Sequence, residues 1–155
     1  MVGKNQISQR SNFYIGGVKD FPIFSISCFL LKTQLVEFEL KQLISSLDQH
    51  LYFSIFSQIL KIKTRTPKDL DEKILTLGKL KDEINKYEGS FLNKLKKDLS
   101  SLVKLRNNFV HSLFNLGSIN AMISEAEKGL NVANEVIKSI ESVNTFLKDH
   151  DPLKR

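Results

Sequence analysis

The sequence predicts an all-α fold, an up-and-down bundle of four to five helices. Three observations carry that prediction. Apolar residues recur at steps of three and four along most of the 155 residues. Proline and glycine are scarce, at three and seven, and Gly89 and Pro152 stand where a helical pattern stops. The composition, 41% hydrophobic and 26% charged with no tryptophan, is ordinary for a soluble helical protein. The length suits one domain with a real core.

Residues 1 to 12 are polar and without periodicity, so residues 1–22 are expected to form a flexible or irregular start, and 23–150 the helical domain. No signal-peptide pattern opens the chain, and the expected location is the cytoplasm. Gly16-Gly17 and Pro22 mark a turn leading into a helix. From Ile23 to Ile62 the pattern is one long helix, or two broken near Asp48-Gln49. It carries two apolar stripes: Phe24, Cys28, Leu31, Leu35 and Phe38, and Phe29, Val36, Leu40, Leu43, Leu47 and Leu51. A helix apolar on two sides is usually covered on both, one stripe by its own bundle and the other by a partner subunit. The apolar run Phe21–Leu31 is too short to span a bilayer, and no membrane association is expected.

Lys61 to Asp71 interrupts the pattern, and Thr66-Pro67 is a helix opening, a capping residue followed by proline. A helix over Thr76–Glu88 ends at Gly89. The next covers Ser90–Phe114, with Phe91, Leu92, Leu95, Leu99, Leu102, Val103, Phe109, Val110 and Leu113 on one arc. Lys97, Ser101, Lys104 and Asn108 lie opposite. After a turn at Asn115–Ser118, a last helix runs from Ile119 to Lys148, with Ile123, Ala126, Leu130, Ala133, Ile137, Ile140, Asn144 and Leu147 along one face.

Several chemistries are disfavoured at once. A single cysteine, Cys28, excludes an intrachain disulfide and a cysteine zinc cluster. His50, His111 and His150 lie 61 and 39 residues apart, without the close spacing of a metal-binding pair. Gly16-Gly17 has no strand before it and no Gly-Lys-Ser/Thr after it, so it is not a phosphate loop. Neither a metal nor a cofactor is expected.

The net charge of +6 is localised: residues 61–106 hold thirteen Lys and Arg against seven Asp and Glu, and the rest of the chain balances. Lys94, Lys96, Lys97 and Lys104 all lie on the helix that leads into Leu105-Arg106-Asn107-Asn108-Phe109-Val110-His111. A basic patch of this kind attracts polyanions and makes their binding salt-sensitive. Lys94, Lys97, Lys104 and Asn108 are the candidate nucleic-acid contacts.

Within the heptapeptide, Arg106 falls in the middle of the apolar arc, in the series Leu95, Leu99, Leu102, Arg106, Phe109, Leu113. A guanidinium there requires a partner or an escape route, because stranding it costs several kcal/mol, roughly. Two readings stand. Its head reaches solvent or pairs with a carboxylate, Glu37 or Glu39 being candidates, or it is a preformed site for phosphate. His111 shares a face with Asn107, Ser100 and Lys104 and lies about 140° from Arg106 on a straight helix. The two converge only if the helix loosens near His111 or if two copies of the motif meet across a symmetry axis.

Arg106-Asn107-Asn108-Phe109-Val110-His111 resembles the signature of the HEPN superfamily (higher eukaryotes and prokaryotes nucleotide-binding). That signature pairs an arginine and an adjoining polar residue with a histidine, inside a helical domain of about this size. Leu77-Gly78-Lys79-Leu80 and Leu102-Val103-Lys104-Leu105 fit its surroundings, and the resemblance covers residues 24–149. It implies a homodimer with a composite site at the interface and a metal-independent cut of RNA that leaves a 2′,3′-cyclic phosphate. It also implies a toxin or defence effector restrained by an antitoxin or regulatory protein. The chemistry suits the residues: His111 can move a proton near neutral pH, Arg106 can hold phosphate oxygens in its fork, and Asn107 can orient His111 or donate to the same phosphate. The expected catalytic set is therefore Arg106, His111 and Asn107, acting on RNA. The alternative is a non-catalytic HEPN-like module that binds a protein, a nucleotide or a nucleic acid.

Overall fold

The computed structural model describes residues 22–52, 65–72, 76–114 and 119–151. The expectations for residues 1–21, for the continuation of the first helix over 53–62, and for the turn at 115–118 lie outside them. Five α-helices occur among the described residues: α1 (Pro22–Tyr52), α2 (Pro67–Glu72), α3 (Leu77–Asn85), α4 (Asn93–Phe114) and α5 (Ile119–Asp149). A 3-10 turn, Ser90–Leu92, leads into α4, and no strand occurs among the described residues. The fold is an all-helical up-and-down bundle.

α5 is its spine. α1 and α4 both pack along it, α3 bridges α1 and α4, and α2 rests on α1. α4 and α5 run antiparallel: Phe91 at the entry of α4 stacks on Phe146 near the end of α5, with ring centroids 4.3 Å apart. α5 can serve two neighbours because its inner surface is small where α1 crosses it, at Ala126, Gly129 and Ala133. A Cβ at Gly129 would lie 2.4 Å from the ring of Phe29. That ring in turn meets Phe109 edge-on at 5.3 Å, so one aromatic of α1 ties together three helices.

The helix ends follow local chemistry. Thr66 and Asp69 form a reciprocal cap at the start of α2: the Thr66 N–H donates to Asp69 Oδ2 at 2.7 Å, and the Asp69 N–H donates to Thr66 Oγ1 at 3.3 Å. α3 stops at Asn85, earlier than its apolar pattern, and Tyr87 then folds beneath it with 8% of its surface exposed. Gly89 makes the reversal at φ 147°, where a Cβ would strike the Phe91 ring at 2.4 Å. α1 passes Asp48-Gln49 without interruption. Of its two stripes, the one from Phe29 to Leu47 is buried and the one from Phe24 to Phe38 faces out. Leu51, the last residue of the second stripe, is 41% exposed.

One polar cluster is built into this frame. Asp48, 5% exposed, accepts from the Arg65 backbone N–H at 3.1 Å, from Arg65 Nε at 2.8 Å and from the Tyr87 hydroxyl. Arg65 also pairs with Glu83 and donates to the Tyr87 oxygen at 2.9 Å. The Asp48 hydrogen bond raises the Arg65 pKa further above its ordinary value, against the opposing effect of burial. Burial and the bond to Asp48 push the Tyr87 hydroxyl up. At Glu83 burial acts upward, but the hydrogen bonds from Lys86 and Arg65 outweigh it and leave the carboxyl below its ordinary range. The cluster fastens the segment before α2 to α1 and to the end of α3.

Candidate nucleic-acid interface

α4 is regular from Asn93 to Phe114, so residue spacing along it converts directly into direction. Leu95, Leu99, Leu102 and Phe109 are fully buried, and they define the inner side. Lys97, Ser100, Ser101, Lys104, Asn107, Asn108 and His111 are all exposed, on the other side. This outer face carries hydroxyls, amides, two lysines and a histidine, and no carboxylate. Lys97, Lys104 and His111 follow one another at two-turn steps, which spreads them over about 21 Å of helix.

The only acid of α4, Asp98, points toward α5, where its Oδ2 accepts from Ser139 Oγ at 2.8 Å. Asp98 and Glu135 line a polar groove of about 430 Å³ between α4 and α5, together with Ser101, Asn131, Val132, Asn134 and Lys138. Lys94 belongs to that acidic edge: its Nζ lies 3.2 Å from Asp98 and 3.6 Å from Glu135. Lys96 turns away to cap the end of α3, donating to the Tyr87 carbonyl at 2.6 Å. The expected phosphate contacts thus divide. Lys97, Lys104 and Asn108 share the outer face, while Lys94 is paired with Asp98 and Glu135. The Lys94–Asp98 spacing of four residues was the sequence signal for that pairing.

Arg106 is half-buried, on the side of the leucines. It makes no ion pair with Glu37 or Glu39. Glu37 instead accepts the Leu77 backbone N–H at 3.1 Å, because the open N-terminus of α3 lies beside it and draws a carboxylate. Asn107 and His111 are exposed, and the unbroken helix keeps Arg106 and His111 about 140° apart. Loosening of the helix near His111 is therefore not what joins them. At the same end of the antiparallel pair, Glu125 on α5 has one carboxylate oxygen buried with no hydrogen-bond partner.

Among the described residues no three of His, Cys, Asp and Glu gather as metal ligands would, and no helix is long and apolar enough to cross a membrane. Compared with known proteins, the chain matches no family model, no curated protein and no solved structure.

Proposed function

We propose that the chain is an RNA-binding helical module whose contact surface is the outer face of α4. The observation that carries this reading is the acid-free row of Lys97, Ser100, Ser101, Lys104, Asn107, Asn108 and His111, all exposed on one straight helix. Lysines supply attraction to phosphate, and the amides and hydroxyls supply hydrogen bonds to phosphate oxygens, sugars and exposed base edges. The polar groove between α4 and α5, where Asp98 and Glu135 are paired with Lys94 and Lys138, bounds the surface on one side. The test is the anisotropy of a labelled single-stranded RNA over a salt series, for the wild type and for Lys97→Ala/Lys104→Ala. The double variant binds more weakly at every salt concentration, and its slope of log K on log salt is shallower by about 1.4 if both lysines meet phosphate.

A second reading is favoured by one specific observation, the Arg106–His111 spacing within the HEPN-like signature together with the exposure of His111. In it the protein is a metal-independent endoribonuclease of toxin or defence type, restrained by an antitoxin or regulatory protein. Arg106 binds the phosphate, His111 transfers the proton, and Asn107 orients His111 or donates to the same phosphate. One chain presents Arg106 and His111 to different sides of α4, so this reading requires two copies of the motif in a homodimer. Cleavage of an RNA pool in excess chelator, yielding cyclic phosphate ends and abolished in His111→Ala, would promote it over simple binding. Tight binding without cleavage would retire it.

A further inference from the structure

The polar groove between α4 and α5 contains groups that the fold leaves unused. Asp98 and Ser101 form its α4 wall, Asn131, Asn134 and Glu135 its α5 wall, and Val132, half-buried, lies deeper than the exposed amides. Asp98 is held from behind. Its Oδ2 accepts at 2.8 Å from the hydroxyl of Ser139, itself 2% exposed, and lies 3.2 Å from Lys94 Nζ. Among the described residues its Oδ1 accepts nothing, and the side-chain amides of Asn131 and Asn134 make no hydrogen bond. Glu135 is engaged by Lys138 at 2.8 Å. The groove thus offers one fixed anionic acceptor and two free amides above a small apolar floor. Its volume of about 430 Å³ falls within the ~300–1,000 Å³ of ligand sites, where a few placed polar groups set the orientation of what binds.

Ser101 joins this groove to the outer face of α4. Lys97, Ser101 and Lys104 step by four and three along the helix, so they form one stripe, and the lysines lie about 10.5 Å apart along the axis. A strand with phosphates on both lysines carries a nucleotide past Ser101, at the mouth of the groove. The Asp98 carboxylate repels the phosphate and admits the uncharged base. We infer that the groove is a guanine subsite of the RNA surface; it rests on the RNA-binding reading above. A carboxylate only accepts hydrogen bonds, and guanine alone presents two adjacent donors on its pairing edge, N1–H and N2–H₂. Asp98 Oδ1 takes one, and the side-chain oxygen of Asn131 or Asn134 takes the other. The remaining amide donates to O6. Uracil has a single donor between two acceptors, and adenine and cytosine set a ring-nitrogen lone pair beside their amine. Ser139 and Lys94 hold Asp98 in place, so it does not turn aside to suit those edges.

The test is fluorescence anisotropy with oligouridine strands of one length that carry guanosine, inosine, adenosine or uridine at the centre. The wild type is expected to bind the guanosine strand about tenfold more tightly than the uridine strand. Inosine, which lacks the N2 amine, is expected to lose most of that gain, and adenosine to bind like uridine. The readout is the ratio of affinities, which the general attraction of lysines for phosphate does not move. In Asp98→Asn the ratio of guanosine to uridine is expected to fall toward one, with circular dichroism as the control for folding. If Asp98→Asn folds poorly, Asn131→Ala/Asn134→Ala, which alters two exposed side chains, must lower the ratio in its place. A guanosine strand bound no more tightly than the adenosine or inosine strand overturns the subsite and leaves the RNA surface standing. So does a ratio unchanged in a well-folded variant. Binding of none of the strands is a separate failure: it removes the RNA surface, and the subsite with it.

Discussion

Arg65 and Arg106 are both half-buried among helices, yet their surroundings differ in every respect. Arg65 meets Asp48, Glu83 and Tyr87, and each of its nitrogens finds an acceptor supplied by another element. Arg106 lies among leucines on α4 and pairs with neither acid of α1 that the sequence offered. The comparison separates two uses of one side chain. A guanidinium with an acceptor at each of its nitrogens holds elements together, and removing any part of its network exposes the remainder. A guanidinium with no acidic partner among the described residues contributes little to their packing.

Breaking the satisfied cluster should have the largest effect. Asp48→Ala leaves Arg65 and the Tyr87 hydroxyl without their shared acceptor, and should lower unfolding free energy by about 3 kcal/mol in denaturant titration. A loss well under that would mean the cluster decorates the fold and does not hold it. The acid limb of stability should report the same cluster more gently. Because the Glu83 pKa is depressed in the folded state, its contribution is present above the ordinary value of 4.5 and is lost as pH falls through the depressed one. Thermal melts from neutral pH downward should therefore fall more steeply for the wild type than for Glu83→Gln; parallel curves would remove Glu83 from the account. The smallest effect belongs to Arg106. Arg106→Met keeps the stem and strands no partner, so it should change stability by less than about 1 kcal/mol. A loss as large as that of Asp48→Ala would show that Arg106 is structural after all.

The helices and their inner faces were legible because periodicity is local. α4 and α5 occupy nearly the expected residues, and the outer position of Lys97, Lys104 and Asn108 followed from the same spacing. What decided the rest was long-range. Both stripes of α1 have helical spacing; which one turns inward depends on Gly129, a hundred residues from Phe29, leaving room for its ring. Asp48 looked like a helix break because its partners, Arg65 and Tyr87, lie 17 and 39 residues away. Glu37 looked like a partner for Arg106, but it was claimed by the N-terminus of α3, whose position no local pattern reveals. The early end of α3 had the same cause, since Tyr87 was drawn under the helix by Asp48. At the candidate interface, the row of exposed side chains could be read one residue at a time. The pairing of Lys94 involves Glu135 from another helix as well as Asp98 from its own.

Binding of RNA by the outer face of α4 is tested by comparing Lys97→Ala/Lys104→Ala with Lys94→Ala. All three positions are lysines of one helix, but only the first two face solvent without a carboxylate beside them among the described residues. The double variant is expected to lose single-stranded RNA affinity and salt dependence together, while Lys94→Ala binds like the wild type. Equal losses in both variants would mean that net charge, rather than this face, drives binding. No RNA binding by the wild type at low salt would contradict the claim outright.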